Sequence, residues 1–131
     1  MGRKKLVVCN IIFDDHQTLE EKVLNMFSPE NLITCFSEDN FEMYKQVINH
    51  ENVQMILKDS ELMSTISAFF NNNLKISQTS GLSYMHRNTL VYRIDKVLKL
   101  TGLNLRQFDH AVVFRNLLVI NDIINNYENE N

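Results

Sequence analysis

The side chains with the clearest chemical potential lie between positions 77 and 96, where basic, amide and hydroxyl groups follow one another closely. Arg87 and Asn88 carry groups that hydrogen-bond the base edges of guanine and adenine in the major groove. The imidazole, hydroxyl, amide and cationic groups around them are of the types that contact phosphate oxygens. The sequence therefore predicts a DNA-binding surface made of Ser77, Gln78, His86, Arg87, Asn88, Thr89, Tyr92, Arg93 and Lys96.

Each group of candidate residues has a predicted role. Arg87 and Asn88 are expected to specify sequence, whereas His86 is expected to cap its helix or to contact phosphate. Ser77 and Gln78 are expected to contact the other strand of the DNA duplex and hold it in position. The remaining candidates are predicted phosphate contacts: Thr89, Tyr92, Arg93 and Lys96.

The distribution of charge supports the same surface. The chain has a net charge of -3, yet residues 75–106 carry six Lys/Arg and only one Asp/Glu. Residues 1–74 carry six Lys/Arg against eleven Asp/Glu, and residues 107–131 carry one against four. A local positive field of this kind attracts nucleic acid even when the whole protein is acidic.

Other chemistries find little support. The four histidines, His16, His50, His86 and His110, are scattered singly rather than at the spacing of metal ligands. The sequence has no glycine-rich phosphate loop and no nucleophile in a G-x-S-x-G context. We therefore expect no enzyme activity, no cofactor and no metal.

Two helices separated by a short turn would position the candidate residues. At about 100° per residue, Leu90, Ile94 and Val97 share one side of a helix over residues 86–101, with polar side chains opposite. Gly102 is suited to the left-handed residue that closes a helix. Ser77 is predicted to cap a preceding helix over residues 78–82, with Ser83 and Tyr84 in the turn. This arrangement is typical of a helix-turn-helix.

The flanking segments are also predicted to be mostly helical. Helices are expected near residues 53–58, from a cap at Asp59 or Ser60 onward, and over residues 107–127. The last helix is apolar around more than half of its circumference, so it is expected to be central in its domain or shared between subunits, and we favour a dimer contact.

The first part of the chain is more ambiguous. Residues 5–13 are predicted to form a strand, and the capping-box pattern at Thr18 predicts a helix over residues 19–27. Residues 32–36 could form a strand or one helical turn, and a helix is expected over residues 41–48.

The resulting fold class is mainly α: a helix-turn-helix bundle with a small N-terminal α/β or helical segment. The predicted domains are residues 1–52, a dimerisation or remnant sensory unit, and residues 53–131, the DNA-binding domain.

Location and cysteine state follow from composition. The chain has no run of the ~20 apolar residues that a membrane span requires, and its N-terminus lacks the cleavage site of a signal peptide. Cys9 and Cys35 stand far apart and are expected to be free, buried thiols. We therefore expect a cytoplasmic protein.

The motif also resembles a known family. The strings LKISQT at residues 74–79, YMHRNTLVYRIDK at 84–96 and LTGLNL at 100–105 are similar to the C-terminal helix-turn-helix of the PucR/CdaR family. The resemblance extends over about residues 55–125 and, more distantly, to the DNA-binding end of the nucleoid protein Fis. It implies a Fis-like fold and bacterial transcription control through a dimer on double-stranded DNA.

Two alternatives remain open. In the first, the helix-turn-helix is a degenerate protein-interaction or dimerisation module, which the altered stretch at residues 80–83 and the acidic remainder of the chain favour. In the second, the N-terminal unit binds a small-molecule effector whose identity the sequence does not give.

Overall fold

Helices make up almost all of the regular structure. The computed structural model describes residues 16–130, and no strand occurs among them. The prediction of a mainly α fold is confirmed for this part of the chain, whereas the strand predicted over residues 5–13 lies outside the described residues. The helices are α1 (Leu19–Met26), α2 (Pro29–Cys35), α3 (Phe41–Ile48), α4 (Glu51–Leu57), α5 (Ser60–Asn71), α6 (Ile76–Leu82), α7 (Arg87–Thr101) and α8 (Phe108–Glu130).

The described residues divide into two compact units. Residues 49–111 form one unit, and residues 16–48 together with residues 112–130 form the other. Helix α8 thus contributes its first turn to one unit and the remainder to the other. The predicted domain boundary between residues 52 and 53 stays a prediction.

Side-chain caps set the ends of the first helices. The Thr18 hydroxyl accepts a hydrogen bond from the Glu21 amide at 3.1 Å, and the Glu21 carboxylate accepts one from the Thr18 amide at 2.8 Å, which confirms the predicted capping box. Ser28 caps α2 by accepting from the Asn31 amide, and Pro29 occupies the first helical position. The same Ser-Pro pair that ends α1 therefore begins α2, so residues 32–35 are helical, Phe36 follows the helix in an extended conformation, and residues 32–36 form no strand.

An aromatic cluster fills the core of the unit that contains α1 to α3. Tyr44 is completely buried and meets Phe27 and Phe36 edge to face, with ring centroids 5.4 and 5.3 Å away. Burial raises the pKa of the Tyr44 phenol, whose hydroxyl has no hydrogen-bond partner among the described residues. Phe41 packs against Tyr127, so α8 closes this cluster.

The cysteine prediction is wrong for Cys35. This residue is buried and disulfide-bonded, and the structure describes no free cysteine among residues 16–130. Cys9 lies outside the described residues.

The apolar content of the helices is compatible with packing against one another. Among residues 16–130, no helix is both long enough and apolar enough to span a bilayer.

Helices α4 to α7 build the second unit around a continuous apolar core. Asp59 caps α5 by accepting a hydrogen bond from the Leu62 amide at 3.0 Å, as the sequence predicted. The Asn52 amide group donates to the Leu100 carbonyl at 2.9 Å, which ties α4 to α7. The buried side chains of this core are Val53, Ile56, Leu62, Ile66, Phe69, Leu90, Ile94 and Val97.

Candidate nucleic-acid interface

Helix α6 starts earlier than the sequence suggested. Lys75 occupies the N-cap position without a side-chain cap, so the predicted cap by Ser77 is wrong. Asn73 and Leu74 both have positive φ values, 58° and 62°, and these left-handed residues reverse the chain immediately before the helix. Ser77 consequently lies within the first turn of α6 and is exposed.

The turn between α6 and α7 is pinned by a single residue of α6. The Ser80 hydroxyl donates to the Met85 carbonyl at 2.5 Å, and the Met85 amide donates to the Ser80 carbonyl at 3.2 Å. Between these anchors, Tyr84 has a φ of 54° and a side chain that is 98% exposed. The predicted turn at Ser83 and Tyr84 is confirmed, and its conformation is held from both sides.

The start of α7 presents the predicted base-contacting residues to solvent. His86 caps the helix: its Nδ1 accepts a hydrogen bond from the Asn88 amide at 3.0 Å. In a neutral imidazole the proton then lies on Nε2, which remains a donor. Arg87 donates to the Ser77 hydroxyl at 3.5 Å, so the first turns of α6 and α7 lie side by side. His86, Arg87, Asn88 and Thr89 are all exposed.

The two faces of α7 follow the predicted helical pattern. Leu90, Ile94 and Val97 are buried, while the opposite face exposes a row that continues down the helix from its first turn. Gly102 ends the helix with a φ of 83°, as predicted. The exposed row consists of Asn88, Tyr92, Asp95 and Lys99.

Arg93 and Lys96 occupy a different position from the other candidates. The Arg93 guanidinium donates to the Thr65 hydroxyl at 2.9 Å and lies 3.7 Å from the Glu61 carboxylate. The Lys96 ammonium lies 3.7 Å from the Asp59 carboxylate. Both cations therefore bind the N-terminal half of α5, and we call these four side chains together with Thr65 the α5–α7 bracket.

Asp59 links this bracket to the cap of α5. The hydrogen bond from the Leu62 amide holds the pKa of the Asp59 carboxyl below its ordinary value, and the nearby Lys96 charge acts in the same direction. The Asp59 carboxylate thus both caps the start of α5 and pairs with Lys96 on α7. The folded structure favours the ionised form of this carboxyl group.

The cations of residues 75–106 fall into two groups. Arg93, Lys96 and Arg106 lie within 4 Å of the carboxylates of Glu61, Asp59 and Asp95, respectively. The other three have no carboxylate at that distance among residues 16–130: Lys75, Arg87 and Lys99. Half of the positive charges of this segment are therefore paired with carboxylates of the same chain.

Comparison with known proteins identifies the segment that carries this geometry. The family model of the PucR C-terminal helix-turn-helix domain matches residues 62–119. Residues 62–119 are thus similar to the PucR C-terminal helix-turn-helix domain, and we call them the PucR domain. This PucR domain begins within α5 and ends within α8, and its two central helices are α6 and α7.

Individual relatives match parts of the chain. Over 76 residues, or 58% of this chain, the sequence is 30% identical to the protein YxkF of Bacillus subtilis. It is 40% identical over 52 residues to the carbohydrate diacid regulator of Escherichia coli, and 37% identical over 49 residues to the purine catabolism regulatory protein of Bacillus subtilis. These matches cover 40% and 37% of this chain.

The relatives are much longer proteins. The matched stretches cover 26% of YxkF, 14% of the carbohydrate diacid regulator and 9% of the purine catabolism regulatory protein. The chain thus spans about a quarter of their length or less. No solved structure matches the chain.

Two features of the PucR domain escaped sequence reasoning. Lys99 lies on the exposed row of α7, where its spacing from Asn88 and Tyr92 could have identified it as a further surface cation. The bracket partners Asp59 and Glu61 precede the matched residues, and no local pattern links them to Lys96 and Arg93.

Proposed function

We propose that this chain is a DNA-binding transcriptional regulator that inserts the start of α7 into the major groove. The supporting observation is the exposed cluster at that helix start, which lies within a PucR helix-turn-helix domain and combines a capped N-terminus with Arg87 and Asn88. A helix N-terminus of this kind offers both base-edge and phosphate contacts. The regulator names of two relatives support the same function class.

Within this proposal, Arg87 and Asn88 contact base edges. Phosphate contacts come from the exposed polar residues of α6 and α7. Arg93 and Lys96 instead hold α7 against α5, because phosphate binding would require them to leave Glu61 and Asp59. The proposed phosphate contacts are Lys75, Ser77, Gln78, His86, Thr89, Tyr92 and Lys99.

We further propose that the regulator acts as a homodimer in the cytoplasm, where a bacterial chromosome is found. Val119 and Ile123 are exposed apolar residues one turn apart on α8, which suits a contact with a second copy. Two PucR domains related by a twofold axis would bind half-sites about one helical turn of DNA apart.

The experiment is a mobility-shift assay of the full chain with fragments of its own upstream region, followed by Arg87→Ala. Loss of a bidentate guanine contact is expected to weaken the specific fragment about tenfold or more and to leave binding to unrelated DNA nearly unchanged. Lys58→Ala is the matched control, since it removes an exposed cation at the end of α4 and is expected to change specific binding little.

A wild-type chain that shifts no duplex at low salt would contradict the proposal. An equal loss of specific DNA binding for Arg87→Ala and Lys58→Ala would also contradict it, because the effect would then not depend on where the cation lies in the structure. The alternative of a protein-interaction module is favoured by one observation, the internal pairing of half of the motif's cations. That alternative predicts a tight protein complex and no DNA shift.

A further inference from the structure

Tyr84 has three properties that do not contribute to the stability of the fold. Its backbone has a φ of 54°, a left-handed conformation that L-residues with large side chains adopt at a cost. Its side chain is 98% exposed, so the ring buries almost nothing. Among residues 16–130 it makes no hydrogen bond, ion pair or ring contact.

The position is one that glycine would suit better. Turns that join the two helices of a helix-turn-helix often contain glycine, because glycine adopts positive φ without steric penalty. The hydrogen bonds between Ser80 and Met85 impose the turn on both sides of Tyr84. The fold therefore fixes the backbone position of an aromatic residue whose exposed side chain makes no contact that would stabilise the fold.

The charge of the residues around Tyr84 indicates which kind of partner its side chain contacts. Tyr84 lies two residues before the cap of α7, beside exposed His86 and Arg87. No carboxylate residue lies between Asn71 and Arg93 in the sequence, so the turn sits within an uncharged or cationic stretch. A tyrosine in such surroundings suits the DNA backbone, since its hydroxyl can donate to a phosphate and its ring can lie against deoxyribose.

We propose that Tyr84 is a DNA-backbone contact that fixes the depth and angle at which α7 enters the groove. This inference rests on the proposed function. It adds a contact residue outside both helices, in a turn whose backbone is already held before DNA arrives. Preorganisation of this kind reduces the ordering cost of binding.

Three variants of the full chain test the proposal: Tyr84→Phe, Tyr84→Gly and the control Ile33→Ala, which shortens an 85% exposed side chain on α2. Tyr84→Phe removes only the hydroxyl and is expected to weaken DNA binding about tenfold. Tyr84→Gly also removes the ring and is expected to weaken binding further, while the urea midpoint stays the same or rises. Ile33→Ala is expected to leave DNA binding unchanged.

The outcomes separate this inference from the proposed function. If the wild-type chain binds no duplex DNA, both are overturned. If it binds, and Tyr84→Phe and Tyr84→Gly bind equally well, only the role of Tyr84 is overturned. A lower urea midpoint for Tyr84→Gly would also overturn the inference, because the side chain would then stabilise the turn.

Discussion

The α5–α7 bracket gives the most specific prediction about how the PucR domain holds its shape. Arg93→Met keeps most of the aliphatic stem of the side chain but removes the guanidinium. The change breaks the 2.9 Å hydrogen bond to Thr65 and the 3.7 Å pair with Glu61. We expect the loss of the hydrogen bond to Thr65 to lower stability more than the loss of the pair with Glu61, because Thr65 is buried and Glu61 is exposed.

The exposed fractions of the three side chains determine how large each coupling energy is expected to be. Thr65 is only 1% exposed, whereas the Glu61 side chain is 82% exposed and the Arg93 side chain 24% exposed. A hydrogen bond to a charged group contributes about 1.5–3 kcal/mol, and the partial exposure of Arg93 favours the lower end. An exposed ion pair contributes about 0–1 kcal/mol. We therefore expect a coupling of about 1.5 kcal/mol between Arg93 and Thr65 and at most about 0.5 kcal/mol between Arg93 and Glu61.

Double-mutant cycles measure both couplings. Urea unfolding at one fixed protein concentration gives the free energy of unfolding of Arg93→Met, Thr65→Val, Glu61→Gln and the two double mutants. The reasoning is refuted if the coupling of Arg93 to Thr65 is near zero, or if the coupling to Glu61 is the larger one. Arg93→Met is also expected to weaken DNA binding without changing its salt dependence, since we count no phosphate contact for this residue.

Three further predictions concern single residues, each measured by urea unfolding against the wild-type chain. Gly81→Ala is expected to raise the free energy of unfolding by about 0.5–1 kcal/mol, because a Cβ at this helical position would meet nothing within 4 Å; a decrease would contradict that geometry. Tyr44→Phe removes a buried hydroxyl without a partner and is expected to leave stability unchanged or raise it by up to about 1 kcal/mol, whereas a clear loss would point to a hydrogen bond that the structure does not contain. The depressed pKa of Asp59 means that its contribution is complete above the unfolded value of about 3.9 and is lost as the pH falls through the folded pKa, so Asp59→Asn is expected to flatten this acid-side decline; an unchanged profile would contradict the assigned cause.

Local sequence patterns predicted the helices well where a single side chain decides the outcome. Thr18 and Asp59 cap α1 and α5, and Gly102 ends α7, because each of these roles depends on neighbouring backbone groups only. The start of α6 was not predicted, since it depends on two consecutive left-handed residues, Asn73 and Leu74, and only the asparagine is of a type that adopts this conformation readily.

The candidate surface was predictable only in part. The exposed position of Asn88 follows from the helical period. Arg87 lies near the buried side by that period, and its exposure follows from its place in the first turn, where it can reach past the end of the helix. The partners of Arg93 are 28 and 32 positions earlier in the chain, at Thr65 and Glu61, so only the packing of α7 on α5 brings them together. A charge count along the sequence therefore overstated the number of cations that are available to phosphate.

The salt dependence of DNA binding tests the central claim most directly. Lys75, Arg87 and Lys99 have no internal carboxylate partner among residues 16–130. Because Arg87 is a proposed base contact, Lys75 and Lys99 are the cations left for phosphate, and a dimer offers four of them. At about 0.9 per neutralised phosphate, the plot of log affinity against log salt concentration is expected to have a slope of about -4. A slope near about -7 would mean that Arg93 and Lys96 leave the bracket for phosphates, and a flat plot would contradict DNA binding by α7 altogether.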